Sequence, residues 1–229
     1  MTDELREFLY PLGFLSAFVF GARFILQWIQ SEMQGKSIVT KTFWKLSIIG
    51  NISLVFHSIL QSQFHICIIQ ACNAVISWRN FNLMQNSKPS ISFKTVIFLL
   101  ISVATSVTVF FILQNHLSSN ETSWFRVPTA PWQNEKIAPI NFIWHLIGSI
   151  GYILFSSRFW IQWLLTEKFQ KSYLPPSFWW LSLIGSILSC AYFIRIQDTV
   201  NLIGPVIGFI PYLRNLMLIY KTEQSTTQT

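Results

Sequence analysis

The sequence predicts an all-α integral membrane protein whose seven transmembrane helices form two parallel three-helix repeats, joined by one linker helix (3-1-3). Two observations carry this prediction. Of the 229 residues, 52% are hydrophobic and only 11% are charged, whereas soluble domains carry roughly 25% charged residues. Apolar runs long enough to cross a bilayer, about 17–25 residues, recur along the chain, and its second half repeats its first half.

Seven apolar segments are predicted to span the membrane. They cover residues 8–30, 43–60, 64–80, 93–113, 141–165, 178–196 and 199–220. The chain therefore divides into four parts. These are a first three-helix repeat at 8–84, a linker helix and outer loop at 85–140, a second repeat at 141–220, and a polar tail at 221–229.

The internal repeat is centred on a motif that occurs twice. The copies run from Arg23 to Ser37 and from Arg158 to Ser172, and both read R-F-x-x-Q-W-x-x-[ST]-E-x-x-x-K-S, at an offset of 135 residues. The same offset relates Gly13 to Gly148, Phe43-Trp44 to Phe178-Trp179, Leu46-Ser47 to Leu181-Ser182, Gly50 to Gly185 and Arg79-Asn80 to Arg214-Asn215. Three spans and a linker span return the chain to its starting orientation, so the repeats are parallel, as in some transporters.

The distribution of Lys and Arg orients the chain, because cytoplasmic loops carry the excess of these residues. With the N-terminus outside, the inner segments and helix ends carry Lys36, Lys41, Lys45, Arg79, Lys88, Lys94, Lys168, Lys171, Arg214 and Lys221. The outer segments carry only Arg6, Arg126, Lys136 and Arg195. The basic residues behind the net charge of +7 therefore serve to orient the helices and not to bind phosphodiesters. No nucleic-acid partner is expected.

Each motif places a charged residue inside an apolar run. Arg23 and Gln27 share one helix face, and Arg158 and Gln162 repeat them. An arginine at the bilayer centre costs about 2.5–3.5 kcal/mol on insertion scales. One interpretation is that the arginine reaches towards the inner interface while the glutamine bonds a neighbouring helix. The other is an Arg/Gln site that faces an internal cavity and holds a phosphate, a carboxylate or a lipid headgroup.

Further polar residues are predicted at the same membrane depth. Arg79-Asn80 and Arg214-Asn215 close the third and seventh spans, where the helix dipole and the positive-inside rule alone would favour a cation. They could also converge with the motif residues. The candidate ligand-binding residues are therefore Arg23, Gln27, Glu32, Arg79, Asn80, Arg158, Gln162, Glu167, Arg214 and Asn215.

Other side chains receive structural interpretations. The tryptophans near the inner helix ends are predicted to form an aromatic belt at the membrane interface; they are Trp28, Trp44, Trp78, Trp163 and Trp179. Gly50 and Gly185 are expected to allow close helix packing. On the outer side, Arg195 and Asp198 are three residues apart and could pair, and His57 and Tyr192 occupy equivalent positions that could line an outward opening.

The sequence contains no catalytic constellation. It has no Gly-rich phosphate loop, no Ser-His-Asp set and no metal-ligand spacing. No segment can form the soluble nucleotide-binding fold that a glycosyltransferase needs. We therefore predict no catalytic residue, metal or cofactor in this chain, and do not expect the chain alone to catalyse sugar transfer.

The motif, followed by F-W-x-L-S-x-x-G and then R-N, resembles the lipid A biosynthesis N-terminal domain over residues 13–84 and again over 148–219. The second copy fits the family better; the first carries Thr40, His57, Gln63 and Ile69 where the second has Pro175, Tyr192, Asp198 and Gly204. That domain precedes some lipid-A-disaccharide synthases and also occurs as separate small membrane proteins. The 3-1-3 plan is also distantly similar to SWEET and PQ-loop transporters, although neither inner loop has a Pro-Gln pair.

The resemblance implies an inner-membrane module of Gram-negative lipid A biosynthesis that binds or presents an anionic glycolipid or another membrane lipid, with a glycosyltransferase as its possible partner. Two alternatives stay open. One is a carrier of small molecules or lipid-linked sugars, with its pocket between the repeats. The other is a purely structural membrane anchor.

The predicted orientation can be measured with alkaline phosphatase fusions, since this reporter forms its disulfides only outside the cytoplasm. A fusion after Asn120, in the outer loop, should be active, and a fusion after Thr229 should be inactive. The reverse pattern would overturn the orientation.

Overall fold

The computed structural model describes residues 3–85, 91–117, 124, 126, 128, 130–132 and 140–227. Lys88 and Lys136, which contribute to the charge count, lie outside these residues, as does most of the predicted outer loop. The helices are α1 (Asp3–Leu9), a 3-10 turn (Tyr10–Leu12), α2 (Gly13–Gln34), α3 (Lys41–Gln61), α4 (Phe64–Gln85), α5 (Phe93–Leu117), α6 (Phe142–Phe169), α7 (Pro176–Arg195) and α8 (Thr199–Thr227).

The all-α prediction is confirmed, because the described residues form helices and no β-strand. Each predicted span corresponds to one long helix, α2 to α8, and α8 continues into the polar tail. Five segments are long and apolar enough to cross a membrane. They are the N-terminal segment Glu4–Gln34, which ends with α2, and the helices α3, α5, α7 and α8. Helices α4 and α6 fall short of that apolarity because they carry buried polar residues such as Arg79 and Arg158.

Residues that adopt left-handed backbone conformations occur at equivalent positions of the two repeats. Gly35 and Gln170 end α2 and α6 with φ of +62° and +51°. Ser62 and Gln197 follow α3 and α7 with φ of +56° and +55°. Both pairs are separated by the 135-residue offset, so the two halves turn in the same way at the same places.

Helices pack consecutively within each half and also across the two halves. Helix α3 packs against α2 and α4, and α7 packs against α6 and α8. Across the halves, α2 contacts α8 and α4 contacts α6, while the strongly apolar α5 lies against α4. First-half helices thus meet second-half helices along two seams, and the polar motif residues lie on these seams.

The prediction of an aromatic belt is wrong for three of its five tryptophans. Trp44, Trp163 and Trp179 are buried in a hydrophobic core that both halves share, where they pack with phenylalanines such as Phe43 and Phe178. Trp28 and Trp78 are only partly buried. Aromatic rings bury large apolar areas, and here they fill the centre of the bundle.

Gly50 and Gly185 allow close packing, as predicted, but they meet different neighbours. A Cβ atom at Gly50 would lie 2.6 Å from the Phe20 ring on α2. A Cβ atom at Gly185 would lie 2.6 Å from the backbone nitrogen of Phe155 on α6. A side-chain ring can move aside, whereas a helix backbone cannot.

We therefore expect Gly185→Ala to destabilise the protein by about 1–3 kcal/mol, the usual cost of overpacking. Gly50→Ala is its matched control, and should be nearly neutral because helix propensity favours alanine by about 1 kcal/mol. Thermal unfolding in detergent measures both. Equal melting temperatures for the two variants would contradict the difference in packing.

Candidate functional site

The motif glutamines organise the polypeptide that follows their own helix. The Gln27 side-chain amide donates to Ser31 Oγ and to the Ile38 carbonyl, both at 2.9 Å. Its counterpart Gln162 donates to Thr166 Oγ1 at 2.8 Å and to the Tyr173 carbonyl at 3.2 Å. The Ser or Thr of the motif is therefore needed as a hydrogen-bond partner one helical turn after the glutamine.

Each motif glutamine also forms a reciprocal amide pair with an asparagine of the other repeat. Gln27 and Asn215 exchange two side-chain hydrogen bonds of 2.9 and 3.1 Å. Gln162 and Asn80 do the same at 2.7 and 3.1 Å. All four residues are buried. The sequence predicts these residues at one depth, and the structure joins them across the α2–α8 and α4–α6 seams.

The motif glutamates are likewise paired with arginines of the other repeat. Arg79 donates through Nε and Nη2 to both carboxylate oxygens of Glu167, at 2.6 and 2.9 Å. Arg214 binds Glu32 in the same bidentate geometry, at 2.6 and 2.8 Å. The preceding tryptophans, Trp28 and Trp163, donate to these glutamates at 2.9 and 3.0 Å.

We refer to these four contacts as the crossed pairs: Gln27–Asn215, Gln162–Asn80, Glu32–Arg214 and Glu167–Arg79. They involve eight of the ten predicted site residues. Their members hydrogen-bond one another, so the crossed pairs primarily hold the two repeats together. In an apolar environment, a polar group without a partner is costly, which explains why each copy of the motif requires the other.

The remaining two predicted residues, Arg23 and Arg158, have a different environment. Both side chains are almost fully buried. Arg23 donates to Ser47 Oγ at 2.9 Å, and Arg158 donates to Ser182 Oγ at 3.0 Å and to the Tyr212 hydroxyl at 3.1 Å. In the part of the chain that the structure describes, neither arginine forms an ion pair with a carboxylate.

Aromatic rings surround the two guanidinium groups. Arg23 lies 4.4 Å from the Phe24 ring and 5.4 Å from the Phe159 ring of the other repeat. Arg158 lies 3.5 Å from Phe155 and 5.5 Å from Phe24. The arginines thus share rings with each other. Cation–π contacts of this kind favour the charged form, by up to about 2 kcal/mol when they are desolvated.

Arg23 and Arg158 line one cavity of about 40 Å³, together with Asn51, Gln70 and Asn73. The Nε atoms of both arginines and the Asn73 side-chain oxygen are buried and lack a hydrogen-bond partner among the described residues. The cavity therefore combines two positive charges and two unused guanidinium donors with one unused amide acceptor. Chemically, this arrangement suits an anion or an anionic oxygen atom.

Sequence reasoning missed the hydroxyl groups that hold the arginines. Ser47 and Ser182 belong to the repeated L-S dipeptide, so the offset could have indicated them. Tyr212 could not be found in this way, because the equivalent residue is Ser77, which accepts from Asn51 at 3.2 Å. The two arginine sites are therefore not identical.

The expected Arg195–Asp198 pair is not formed. Asp198 is fully buried and accepts hydrogen bonds from the Tyr10 hydroxyl at 3.1 Å and the Asn201 side-chain amide at 2.8 Å, while Arg195 is exposed. Tyr192, in contrast, lies where the sequence predicts an outward opening. It lines a larger cavity at the end of the bundle opposite the crossed pairs.

The family model of the Lipid A Biosynthesis N-terminal domain matches residues 12–82 and again 147–217. The chain belongs to this family. The two matches coincide with the two repeats that carry the crossed pairs. No solved structure matches the chain.

The curated relatives that match are lipid-A-disaccharide synthases. Those of Chlamydia felis and Chlamydia pneumoniae are 39% and 36% identical over 96% and 99% of this chain. The synthase of Chlamydia trachomatis serovar D is 36% identical over 94% of the chain. The chain spans only about a third of the length of these relatives, 35% in the first case. Both comparisons relate the chain to lipid A biosynthesis.

The two ion pairs of the crossed pairs differ in burial, and this difference can be tested. The side chains of Arg79 and Glu167 are only 2% and 9% exposed, against 42% and 33% for Arg214 and Glu32. Glu167→Gln should destabilise the protein by about 3 kcal/mol because it strands a buried guanidinium. Glu32→Gln, the matched control, should have a much smaller effect. Thermal unfolding in detergent measures both, and equal losses would contradict the assignment.

Proposed function

We propose that this chain is an integral inner-membrane module of lipid A biosynthesis whose Arg23 and Arg158 hold the anionic headgroup of a glycolipid. The observation that carries the proposal is the pair of buried, carboxylate-free guanidinium groups that line one cavity. The assignment to lipid A biosynthesis is supported by the family and by the synthase relatives. The seven long helices, in the 3-1-3 arrangement, would cross the membrane with the N-terminus in the periplasm and the C-terminus in the cytoplasm.

The charge balance of the cavity favours an anion over a neutral ligand. Two guanidinium groups next to one another repel, and burial adds a desolvation cost for each. Neighbouring hydroxyl groups and ring faces offset only part of that cost. A phosphate or carboxylate oxygen between the arginines would remove the repulsion and use the free Nε donors. Charged residues buried in membrane proteins usually mark such sites.

The cavity size sets how much of a headgroup can enter. A volume of about 40 Å³ is close to the roughly 30 Å³ that one water molecule occupies in the liquid. One phosphate oxygen fits without rearrangement. Entry of a whole phosphate group requires a ring such as Phe20 or Phe155, which line the cavity, to move aside.

A carrier remains the second candidate, and one observation favours it. A cavity of about 50 Å³ shares Phe20, Gln70 and Phe155 with the arginine cavity. It also shares Tyr152 and Phe193 with the larger cavity at the opposite end. Three cavities therefore follow one another along the seam between the repeats. A route of this kind is what alternating access between parallel repeats needs.

A glycosyltransferase is the partner that fits the first candidate. The relatives are synthases, and this chain matches about a third of their length. Either a partner chain or a further segment would then supply catalysis, while the helical module would present the lipid. Copurification of a glycosyltransferase with the affinity-tagged chain, which a carrier would not require, distinguishes the two candidates.

The arginine site can be tested with the double variant Arg23→Gln/Arg158→Gln. Native mass spectrometry of the detergent-solubilised protein should show that lipid A binds at least tenfold more weakly to this variant than to the wild type, because both guanidinium groups are lost. The matched control is Lys41→Gln/Lys168→Gln, which removes the same charge from two exposed positions. The control should keep wild-type affinity.

Thermal stability separates binding from folding in this experiment. Removing two uncompensated buried charges should leave the melting temperature unchanged or raise it, since residues kept for function often cost stability. Unchanged lipid A binding by a folded double variant would overturn the proposed site. Uptake of a sugar by proteoliposomes that contain the wild-type protein would instead favour the carrier.

A further inference from the structure

A second, wider cavity lies at the end of the bundle opposite the crossed pairs. It has a volume of about 560 Å³ and is enclosed by α4, α6, α7 and the residues described between α5 and α6. Ligand pockets in proteins measure about 300–1,000 Å³. None of the ten predicted site residues lines it.

The equivalent place in the first half of the chain is filled. Tyr10 and Phe14, the counterparts of His145 and Ser149, occupy it and pack against Trp132 at ring-centroid distances of 5.5 and 5.8 Å. Ser149 lines the open cavity. At these two positions the second half thus has smaller or more polar residues where the first half has aromatic rings, whereas Tyr152 of the cavity lining stands where the first half has Ala17.

One polar group in the cavity wall lacks a partner. The Gln63 side chain is 2% exposed and lines the cavity, and its Oε1 atom is buried without a hydrogen bond from any residue that the structure describes. Its amide nitrogen is already used, since it donates to Asp198 Oδ2 at 3.3 Å. A buried acceptor without a donor is costly. A ligand hydroxyl or N–H group would satisfy it.

Further polar groups suit a hydroxylated ring. The Tyr192 hydroxyl and His145 Nδ1 lie 3.1 Å apart, and the aromatic rings of both residues face the same cavity. Tyr152 and His65 add a second aromatic pair, with ring centroids 5.9 Å apart. Such rings offer both flat apolar faces and hydrogen-bonding groups to a ligand.

The cavity favours an uncharged head. Among the described lining residues, Asp198 contributes one negative charge and Arg126 one positive charge, so the wall has no excess of either sign apart from its histidines. This is the opposite of the arginine cavity. Moreover, apolar side chains stand exposed at the lining of α6, where Phe142 is 74% and Ile153 is 62% exposed. The mouth of the cavity therefore faces an apolar surrounding.

From this geometry we infer a second ligand site, which binds an uncharged, hydroxyl-bearing amphiphile that enters from the lipid phase. The hydroxylated head, of the size of one sugar ring, hydrogen-bonds Gln63 and stacks on the aromatic residues. The apolar portion leaves between Phe142 and Ile153. This site is independent of the anionic site proposed at Arg23 and Arg158.

Native mass spectrometry of the full chain in a detergent without a sugar head can test this site. The probe is monoglucosyl diacylglycerol; the reference lipid is diacylglycerol, and phosphatidylglycerol is the anionic competitor. The comparison uses the Arg23→Gln/Arg158→Gln protein, which lacks the proposed anionic site, and we expect it to bind the glucosyl lipid at least tenfold more tightly than either of the other two. Ser149→Phe, which introduces the residue of the filled half, should abolish that preference. Its matched control Ile150→Phe, at an exposed neighbouring position that does not line the cavity, should keep it.

A second variant tests the head-group contact. Gln63→Met removes the unpartnered acceptor with little change in volume, and should reduce the preference for the glucosyl lipid at least fivefold. Unchanged preference in both Ser149→Phe and Gln63→Met would overturn the proposal. Tighter binding of phosphatidylglycerol than of the glucosyl lipid would overturn the inference that the ligand head is uncharged. Binding of free methyl glucoside as tight as that of the glucosyl lipid would assign the cavity to a water-soluble sugar and overturn the amphiphile.

Discussion

Pairing of polar groups across the two repeats is the constraint on which this structure depends. Each copy of the motif brings a glutamine, a glutamate and their hydrogen-bonding neighbours into an apolar bundle, where the buried members need a partner. Within one copy those partners are incomplete. Asn215 and Arg214 complete the first copy, while Asn80 and Arg79 complete the second. Duplication therefore supplies the missing half of each polar site.

The two proposed ligand sites lie at polar groups that take no part in the crossed pairs. Arg23 and Arg158 are repeated residues, yet no carboxylate of the described residues pairs with them, and they meet at one small cavity. At the other end the two halves differ, so that the place filled by Tyr10 and Phe14 in the first half is open in the second. One proposed site thus follows from the symmetry of the repeats and the other from its loss.

Much of the fold could be predicted from the sequence, because long apolar runs indicate helices. The repeat could also be recognised, because tryptophans and glycines recur at an offset of 135 residues. The depth of the site residues was also predictable from their positions along the spans. The partner of each polar residue could not be predicted. Arg79 could equally have met Glu32 of its own repeat, and only the packing of α4 on α6 decides for Glu167. The burial of Trp44 and Trp179 likewise depends on tertiary packing, since interfacial and core tryptophans look alike in sequence.

Pairing of the polar motif residues across the two repeats can be measured by two double-mutant cycles on unfolding in detergent. One cycle combines Arg79→Gln with Glu167→Gln, and the other combines Arg79→Gln with Glu32→Gln. Coupled residues deviate from additivity by about 0.5–3 kcal/mol. Pairing across the repeats predicts coupling in the first cycle and additive effects in the second. Additive effects in the first cycle, or coupling only in the second, would contradict it.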